Sequence, residues 1–147
     1  MKIIITVGGL AVFLLFGGVW YSNNATRSDS TVISNKGIHL HSTLKIYING
    51  KKQDIPANIG IVGEHSPMHT HSSNGVIHIE YEGVVREDDI KLGNFFKIWG
   101  KKFNSDQLFG YKNGEGKDIH MFVNGKESKE FDNYSIKNGD TIILRYE

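Results

Sequence analysis

Residues 38–50 read IHLHSTLKIYING, a run that alternates apolar and polar side chains and ends in Asn49-Gly50. Alternate residues of a β-strand point to opposite faces, so the pattern predicts a half-buried strand over 38–48. Asn-Gly is the strongest short signal for a two-residue hairpin, and a return strand is therefore predicted over 51–55. The core face of the first strand would consist of Leu40, Ser42, Leu44, Ile46 and Ile48. Its polar face would carry His39, His41, Thr43, Lys45 and Tyr47.

A second copy of this pattern lies towards the C-terminus. Residues 121–126, MFVNGK, match residues 46–51, IYINGK, in residue type at every position. A second hairpin is therefore predicted, with strands over 118–123 and 126–131 around Asn124-Gly125. Asn138-Gly139-Asp140 then predicts a turn into a last strand over 141–146.

One helix is expected between the two hairpins, from Asp88 or Asp89 to about Trp99. Its apolar residues recur at i, i+3, i+4 and i+7, which predicts one buried stripe. Gly93 inside the helix predicts a close approach to the sheet, and Gly100 is predicted to end it in the C′ position. Residues 101–116 have no clear period and read as a loop. The stripe consists of Leu92, Phe95, Phe96 and Trp99.

The order hairpin, helix, hairpin and final strand predicts an α+β fold. It is the order of the β-grasp, or ubiquitin-like, arrangement, which we expect here. A β-sandwich carrying one helix is the alternative.

The composition excludes several kinds of site. The chain has 147 residues, no cysteine and a formal net charge of +1 at pH 7, with acidic and basic residues interspersed. Disulfides, thiolate–metal sites and cysteine nucleophiles are therefore absent. Without a basic run, no nucleic-acid partner is expected.

The N-terminal segment is apolar from Ile3 to Val19 apart from Thr6 and glycines, and Trp20-Tyr21 follows. Such a run can cross the ~30 Å core of a bilayer, and aromatic residues are typical of the interface. Residues 1–21 are predicted to be a transmembrane anchor, with a signal peptide as the alternative. Residues 22–36 then form a flexible tether. Residues 37–147 form an extracytoplasmic domain of a single-pass protein of the cell membrane, held in the lipid bilayer through residues 3–21.

Six of the seven histidines lie between His39 and His78. His39 and His41 share one face of the first strand, and His78 and Glu80 share one face of a strand predicted over 75–81. If these strands are neighbours, His39, His41 and His78 converge on one point, as three imidazole ligands of a metal ion do. His69 and His71 are a second pair, on a loop over 61–74. The sequence allows either one site that uses both pairs or two separate sites.

Other coordinating residues in the loop are Glu64, His65 and Met68. Imidazole ligands without thiolates suit Zn²⁺, Cu²⁺ or Ni²⁺, and the Met68 thioether would suit Cu⁺. Copper or zinc is the ion expected here. His120 stands alone on the third strand, and a lone exposed histidine usually binds nothing. If the protein is an enzyme, Glu80 is the expected general base, because it shares a face with His78. The predicted metal ligands are His39, His41, His69, His71 and His78.

The histidine pattern is similar to two known sites. Two histidines on one strand and one on another resemble the three-histidine zinc site of α-type carbonic anhydrases, and paired H-x-H also occurs in cupins. The whole of residues 37–100 resembles a group of small exported archaeal and bacterial proteins of no established function. Its motifs in this chain are HxH at 39–41, IxINGK at 46–51, IPANIGI at 55–61, HTHxxxGVIHIE at 69–80 and LGxFFxxWG at 92–100. The resemblance implies that these histidines belong to one shared site.

Three functions are expected from these patterns. The first is a membrane-tethered domain that binds copper or zinc, for metal handling or as an accessory subunit of a membrane metalloenzyme complex. The second is a small zinc-dependent hydratase or hydrolase. The third is a docking module of a membrane complex that binds no metal, in which the histidines would point apart.

Overall fold

The computed structural model describes residues 30–63 and 65–147, and the predicted anchor over 1–21 lies outside these residues. The described part is an α+β domain, rich in strands, with one α-helix. None of its helices is long and apolar enough to span a membrane.

Eleven strands and the helix follow one another in this part of the chain. The first six strands are β1 (Val32–Ser34), β2 (Ile38–Ile48), β3 (Lys51–Gln53), β4 (Met68–His69), β5 (Val76–Tyr81) and β6 (Val85–Arg86). After helix α1 (Leu92–Ile98) come β7 (Gln107–Leu108), β8 (Tyr111–Lys112), β9 (Ile119–Val123), β10 (Lys126–Ser128) and β11 (Thr141–Tyr146).

The main sheet is mixed and has seven strands, in the order β10-β9-β11-β2-β5-β4, with β3 also paired to β2. The strands β2 and β11 lie at its centre and are parallel, with Thr43 opposite Thr141 and Ile48 opposite Tyr146. Both Asn-Gly turns have positive φ at both residues, as a two-residue hairpin requires: 50° and 76° at Asn49 and Gly50, 51° and 80° at Asn124 and Gly125. The two predicted hairpins are therefore present.

The alternation of β2 places one face in the core and the other on the surface, as predicted. Leu44, Ile46 and Ile48 are buried, and Ile77 and Ile79 of β5 are buried beside them. The helix packs on this face through Leu92, Phe95 and Phe96. The histidines at 39, 41 and 78 therefore lie on the opposite face, away from the hydrophobic core.

The helix is shorter than predicted. Residues Glu87–Ile90 form a 3₁₀ turn, and α1 begins only at Leu92 because Lys91 is extended and pairs with Ser135. Gly93 permits a close approach to Asp132 rather than to the sheet: a Cβ there would lie 2.9 Å from the Asp132 carbonyl oxygen. Gly100 follows the helix with φ of 69°, as predicted.

Three short strand pairs were not predicted. The predicted tether over 22–36 extends too far, because β1 pairs with β6 and so joins the domain from Val32. The stretch 101–116 contains a small hairpin of β7 and β8 rather than only a loop. The stretch 61–74 contains β4, which pairs with β5. A strand of two or three residues is too short to give a readable alternation.

Candidate metal centre

Three neighbouring strands bring the histidines together. His41 of β2 and His69 of β4 both lie opposite His78 of β5, one on each side. His39 lies opposite Glu80 in the next row. Because alternate residues share a face, all these side chains project from the surface away from the core. The strand order of the sheet therefore creates a histidine-rich face from segments far apart in sequence.

Two overlapping sets of side chains on this face could each hold a metal ion. We call His39, His41 and His78 the outer set. We call His69, His71, His78 and Glu80 the inner set. In each set one ligand atom per residue lies within 4.8 Å of all the others. The sequence could not distinguish one metal site from two. The structure has two sets of ligands, and they share His78.

The inner set contains a pair of imidazole nitrogens at hydrogen-bonding distance. His69 Nε2 lies 3.2 Å from His71 Nε2. Two nitrogens bound to one tetrahedral zinc ion at about 2.0–2.1 Å are separated by about 3.3 Å. Glu80 Oε1 lies 3.9 Å from His69 Nε2 and 3.8 Å from His78 Nδ1. The two carboxylate distances are longer than this separation, so Glu80 would have to move towards the imidazoles to share one ion with them.

His69 is fixed in the orientation that a ligand needs. Its side chain is 1% exposed, and its Nδ1 lies 3.1 Å from the carbonyl oxygen of Ser66. A carbonyl can only accept, so Nδ1 carries the proton and Nε2 of the neutral ring presents its lone pair to His71. A hydrogen bond to the second ring nitrogen is the usual way in which proteins orient a metal-binding histidine.

The segment 55–61 holds the backbone around His69 in place through hydrogen bonds. The buried Thr70 donates its hydroxyl to the Pro56 carbonyl and accepts a hydrogen bond from the Ile59 backbone N–H. Gly60 accepts a hydrogen bond from the backbone N–H of Ser66. It has φ of 74°, and a Cβ there would lie 2.6 Å from the Met68 carbonyl oxygen. Glycine is therefore required at 60 for the loop to hold Ser66 and His69 in place.

The outer set is more exposed and its backbone is held by another turn. The side chain of His39 is 62% exposed, against 1% for His69 of the inner set. The His41 backbone N–H donates to Asn138 Oδ1, and its carbonyl accepts from the Gly139 N–H. His39 Nε2 lies 3.2 Å from Glu80 Oε1, so this carboxylate contacts residues of both sets.

The environment keeps the central histidines uncharged. Burial lowers the pKa of His69, opposed by the hydrogen bond to Ser66 and by the charge of Glu80. Burial also lowers the pKa of His78, and the neighbouring His41, His71 and His69 lower it further. A metal ion binds the neutral imidazole, so these two rings can ligate near neutral pH without first losing a proton.

The remaining coordinating residues of the loop differ in position. The exposed His65 ring packs 4.5 Å from the His69 ring, outside both sets. Met68 is fully buried on the core side, because it alternates with His69, so the predicted thioether ligand is not on this face. Glu64 lies outside the described residues. An open cleft of about 590 Å³ beside the sets is lined by His39, His65, His69, Glu80 and Tyr81, among others.

His120 of β9 is on the same side of the sheet, because it lies opposite Arg145 of β11, which lies opposite Tyr47 of β2, but this row is at the end of β2 far from His39 and His41. The carboxylate beside it is that of Glu127, with Nδ1 and Oε1 3.7 Å apart. The supporting residues Ser66, Gly60 and Thr70 were not predicted from single-residue chemistry. The signal for them was the IPANIGI motif over 55–61, which carries no ligand of its own. Comparisons of the chain with protein-family models, with curated proteins and with solved structures find no match in any of the three.

Proposed function

We propose that the histidine-rich face binds a divalent transition-metal ion, zinc or copper. The observation that carries the proposal is the inner set, in which a buried histidine presents Nε2 to a second imidazole 3.2 Å away. The carbonyl of Ser66 on the other ring nitrogen is the kind of support that orients metal-binding histidines. The proposal is also supported by the carboxylate of Glu80, which neutralises part of the charge of an ion.

The donor atoms indicate which oxidation state of copper is the alternative to zinc. Imidazole nitrogens with one carboxylate suit Zn²⁺ and Cu²⁺. Cu⁺ prefers thiolates and thioethers, but the chain has no cysteine, and the two methionines among the described residues, Met68 and Met121, are both buried in the core. The copper alternative is therefore Cu²⁺.

The proposed setting is the extracytoplasmic side of a membrane, with the lipid bilayer as partner through residues 3–21. This part of the proposal rests on the apolar run from Ile3 to Val19 and on Trp20-Tyr21. The role would be metal handling, or that of an accessory subunit in a membrane metalloenzyme complex. The exposed histidines support the first role, because an ion on this face is accessible to another molecule.

We further propose that the scaffold is a β-grasp. The support is the parallel pairing of β2 with β11 at the centre of the sheet, with one Asn-Gly hairpin on each side. The helix α1 lies between the hairpins in sequence and packs on the core face.

A zinc-dependent hydratase or hydrolase is the second candidate function. The cleft beside Glu80 and His69 favours it, since a substrate there would lie next to a bound ion and a carboxylate. A docking module is less well supported. It requires histidines that point apart, whereas neighbouring rings on this face have centroids 4.5–5.4 Å apart.

The proposal is tested by titrating the full-length protein in detergent with Zn²⁺ and with Cu²⁺, by isothermal titration calorimetry. About one equivalent should bind, through neutral imidazoles. His120→Ala is the matched control and should bind as the wild type does. A folded wild-type protein that binds neither ion would refute the proposal. Hydration of CO₂ by the zinc-loaded protein, lost in Glu80→Gln, would establish the second candidate.

A further inference from the structure

The two ligand sets differ in accessibility although they share one residue. In the outer set His39 and His41 are both exposed, whereas in the inner set His71 is exposed but His69 is buried, with a side chain that is 1% exposed. His78, at 21% exposure, lies between them and belongs to both. Its ring centroid lies 4.6 Å from that of His41 on one side and 4.5 Å from that of His71 on the other.

The two sets also differ in how firmly they are held. The inner set has a supporting hydrogen bond at His69 and offers four donors, one of them a carboxylate. The outer set offers three imidazoles on a strand face open to solvent. More donors, a negative charge and a fixed orientation all favour the ion in the inner set. Two of the three imidazoles in the outer set are exposed, against one of the three in the inner set, so solvent access favours exchange of the ion at the outer set.

Glu80 connects the two sets a second time. Its Oε1 lies 3.2 Å from His39 Nε2 in the outer set and 3.8 Å from His78 Nδ1. A carboxylate between two positions can follow an ion by a rotation of its own side chain. His78 and Glu80 therefore both lie within reach of the two sets.

We infer that one ion occupies two positions on this face in turn. It loads and unloads at the outer set, rests at the inner set, and passes between them while His78 stays bound. This inference rests on the proposed metal binding and adds a direction of transfer. In the inward step His69 and His71 replace His39 and His41, and Glu80 replaces a bound water. Only metal–ligand bonds break and form, and the ion keeps its oxidation state. The molecule that delivers or receives the ion is one that presents nitrogen or oxygen donors of its own at the outer set.

The test separates affinity from exchange rate. The full-length protein in detergent is loaded with Zn²⁺, and release to excess EDTA is followed by stopped flow, beside equilibrium competition. His71→Ala should weaken binding by at least about 10- to 100-fold and speed release, because the resting position loses a ligand. His41→Ala should weaken binding much less and slow release several-fold, because the exit position is damaged. His39→Ala should repeat the effect of His41→Ala, and His120→Ala should change neither quantity.

Several results would overturn the inference. Equal losses of affinity in His41→Ala and His71→Ala would mean one site that uses all the histidines. Two tightly bound equivalents in the wild type would mean two positions filled together. Unchanged release in both His39→Ala and His41→Ala would mean that the outer set is not an exit. Circular dichroism of each variant establishes that it is folded. Absence of any binding in the wild type would instead refute the metal-binding function itself.

Discussion

The sheet carries two pairs of histidine and glutamate side chains with similar geometry. On the histidine-rich face, His39 Nε2 lies 3.2 Å from Glu80 Oε1. At the other end of the sheet, His120 Nδ1 lies 3.7 Å from Glu127 Oε1. All four side chains are well exposed, and each pair lies on two adjacent antiparallel strands.

The surroundings of the two pairs are different. Glu80 is next to His69 and His78, which come from two strands and add two further imidazoles. Glu127 instead accepts a hydrogen bond from Lys129 Nζ at 2.5 Å, and His120 lies opposite Arg145. The lysine therefore satisfies the carboxylate, and Arg145, which pairs with Glu147, adds a second positive charge beside His120 that repels a cation. A histidine beside a carboxylate is therefore not enough, and a candidate site also needs further imidazoles from neighbouring strands.

The largest expected effect comes from removing the residue that both ligand sets share. His78→Ala should weaken Zn²⁺ binding by more than about 100-fold, since loss of a supporting residue alone already costs about 10- to 100-fold. His120→Ala should have no effect on binding. Isothermal titration calorimetry of both variants measures the difference. Equal losses in the two variants would mean that metal binds without regard to this face.

Added Zn²⁺ should also stabilise the two variants against unfolding to different extents. At a free Zn²⁺ concentration of 100 times its dissociation constant, the ion should stabilise the wild type and His120→Ala by about 2.7 kcal/mol. His78→Ala should gain almost nothing. Thermal unfolding with and without Zn²⁺ measures these shifts, and a full gain in His78→Ala would contradict the proposed ligands.

The next effect concerns the loop behind the inner set. Gly60→Ala forces a side chain into φ of 74° and against the Met68 carbonyl, which costs about 1–3 kcal/mol for the strained backbone alone. Displacement of Ser66 and His69 should then weaken Zn²⁺ binding by about 10- to 100-fold.

Gly63→Ala is the matched control for this loop. Gly63 also has positive φ, 90°, but a Cβ there would meet nothing within 4 Å. It should lower stability through backbone strain and leave Zn²⁺ affinity unchanged. Calorimetric titration and chemical unfolding of both variants separate the two effects. Equal affinity in Gly60→Ala and Gly63→Ala would show that the contact with Met68 does not position the ligands.

The long elements of the fold could be predicted from the sequence because their signals are local. The alternation over 38–48 gave β2 with its observed bounds, and two Asn-Gly pairs gave both hairpins. The start of α1 could not be predicted, because Lys91 is held extended by pairing with Ser135, far along the chain. The strand β4 was not predicted either, since it exists through its contact with β5.

Part of the candidate site could likewise be predicted from the sequence, and part of it could not. The residue types and their alternation placed His39, His41 and His78 on strand faces. They could not reveal that His69 lies on the third strand of the row, nor that Met68 next to it points into the core. The support of His69 by Ser66 depends on a loop conformation, which leaves no pattern of polar and apolar residues.

A smaller effect is expected in the scaffold that holds the outer set. The buried Asp140 accepts hydrogen bonds from the Tyr134 hydroxyl, the Asn124 side chain and the Lys137 backbone N–H. It belongs to the turn that contacts the His41 backbone. Tyr134→Phe should lower the free energy of unfolding at pH 7 by about 1.5–3 kcal/mol, the usual value for a hydrogen bond to a charged group. Zn²⁺ affinity should stay the same, because no ligand is touched.

This effect should depend on pH in one direction. Burial and the hydrogen bond to Asp140 raise the pKa of Tyr134 well above its usual range. Above about pH 10 the unfolded chain loses the tyrosine proton while the folded protein keeps it, so stability falls as the pH rises. Tyr134→Phe lacks this loss. The difference in unfolding free energy between wild type and variant should therefore shrink from pH 9 to about pH 11. A constant difference would contradict the role of the hydroxyl.

The smallest expected effect concerns His120 and Glu127, and it tests why this pair does not form a metal site. Lys129 lowers the pKa of Glu127 through its hydrogen bond and its charge. Lys129→Met should return this pKa towards its ordinary value of about 4.3, as measured by NMR titration of the carboxyl group. Zn²⁺ stoichiometry should not change, because one imidazole and one carboxylate are still too few ligands. A new equivalent of Zn²⁺ in Lys129→Met, lost again in the double variant with His120→Ala, would show that charge rather than ligand number excludes the ion from this pair.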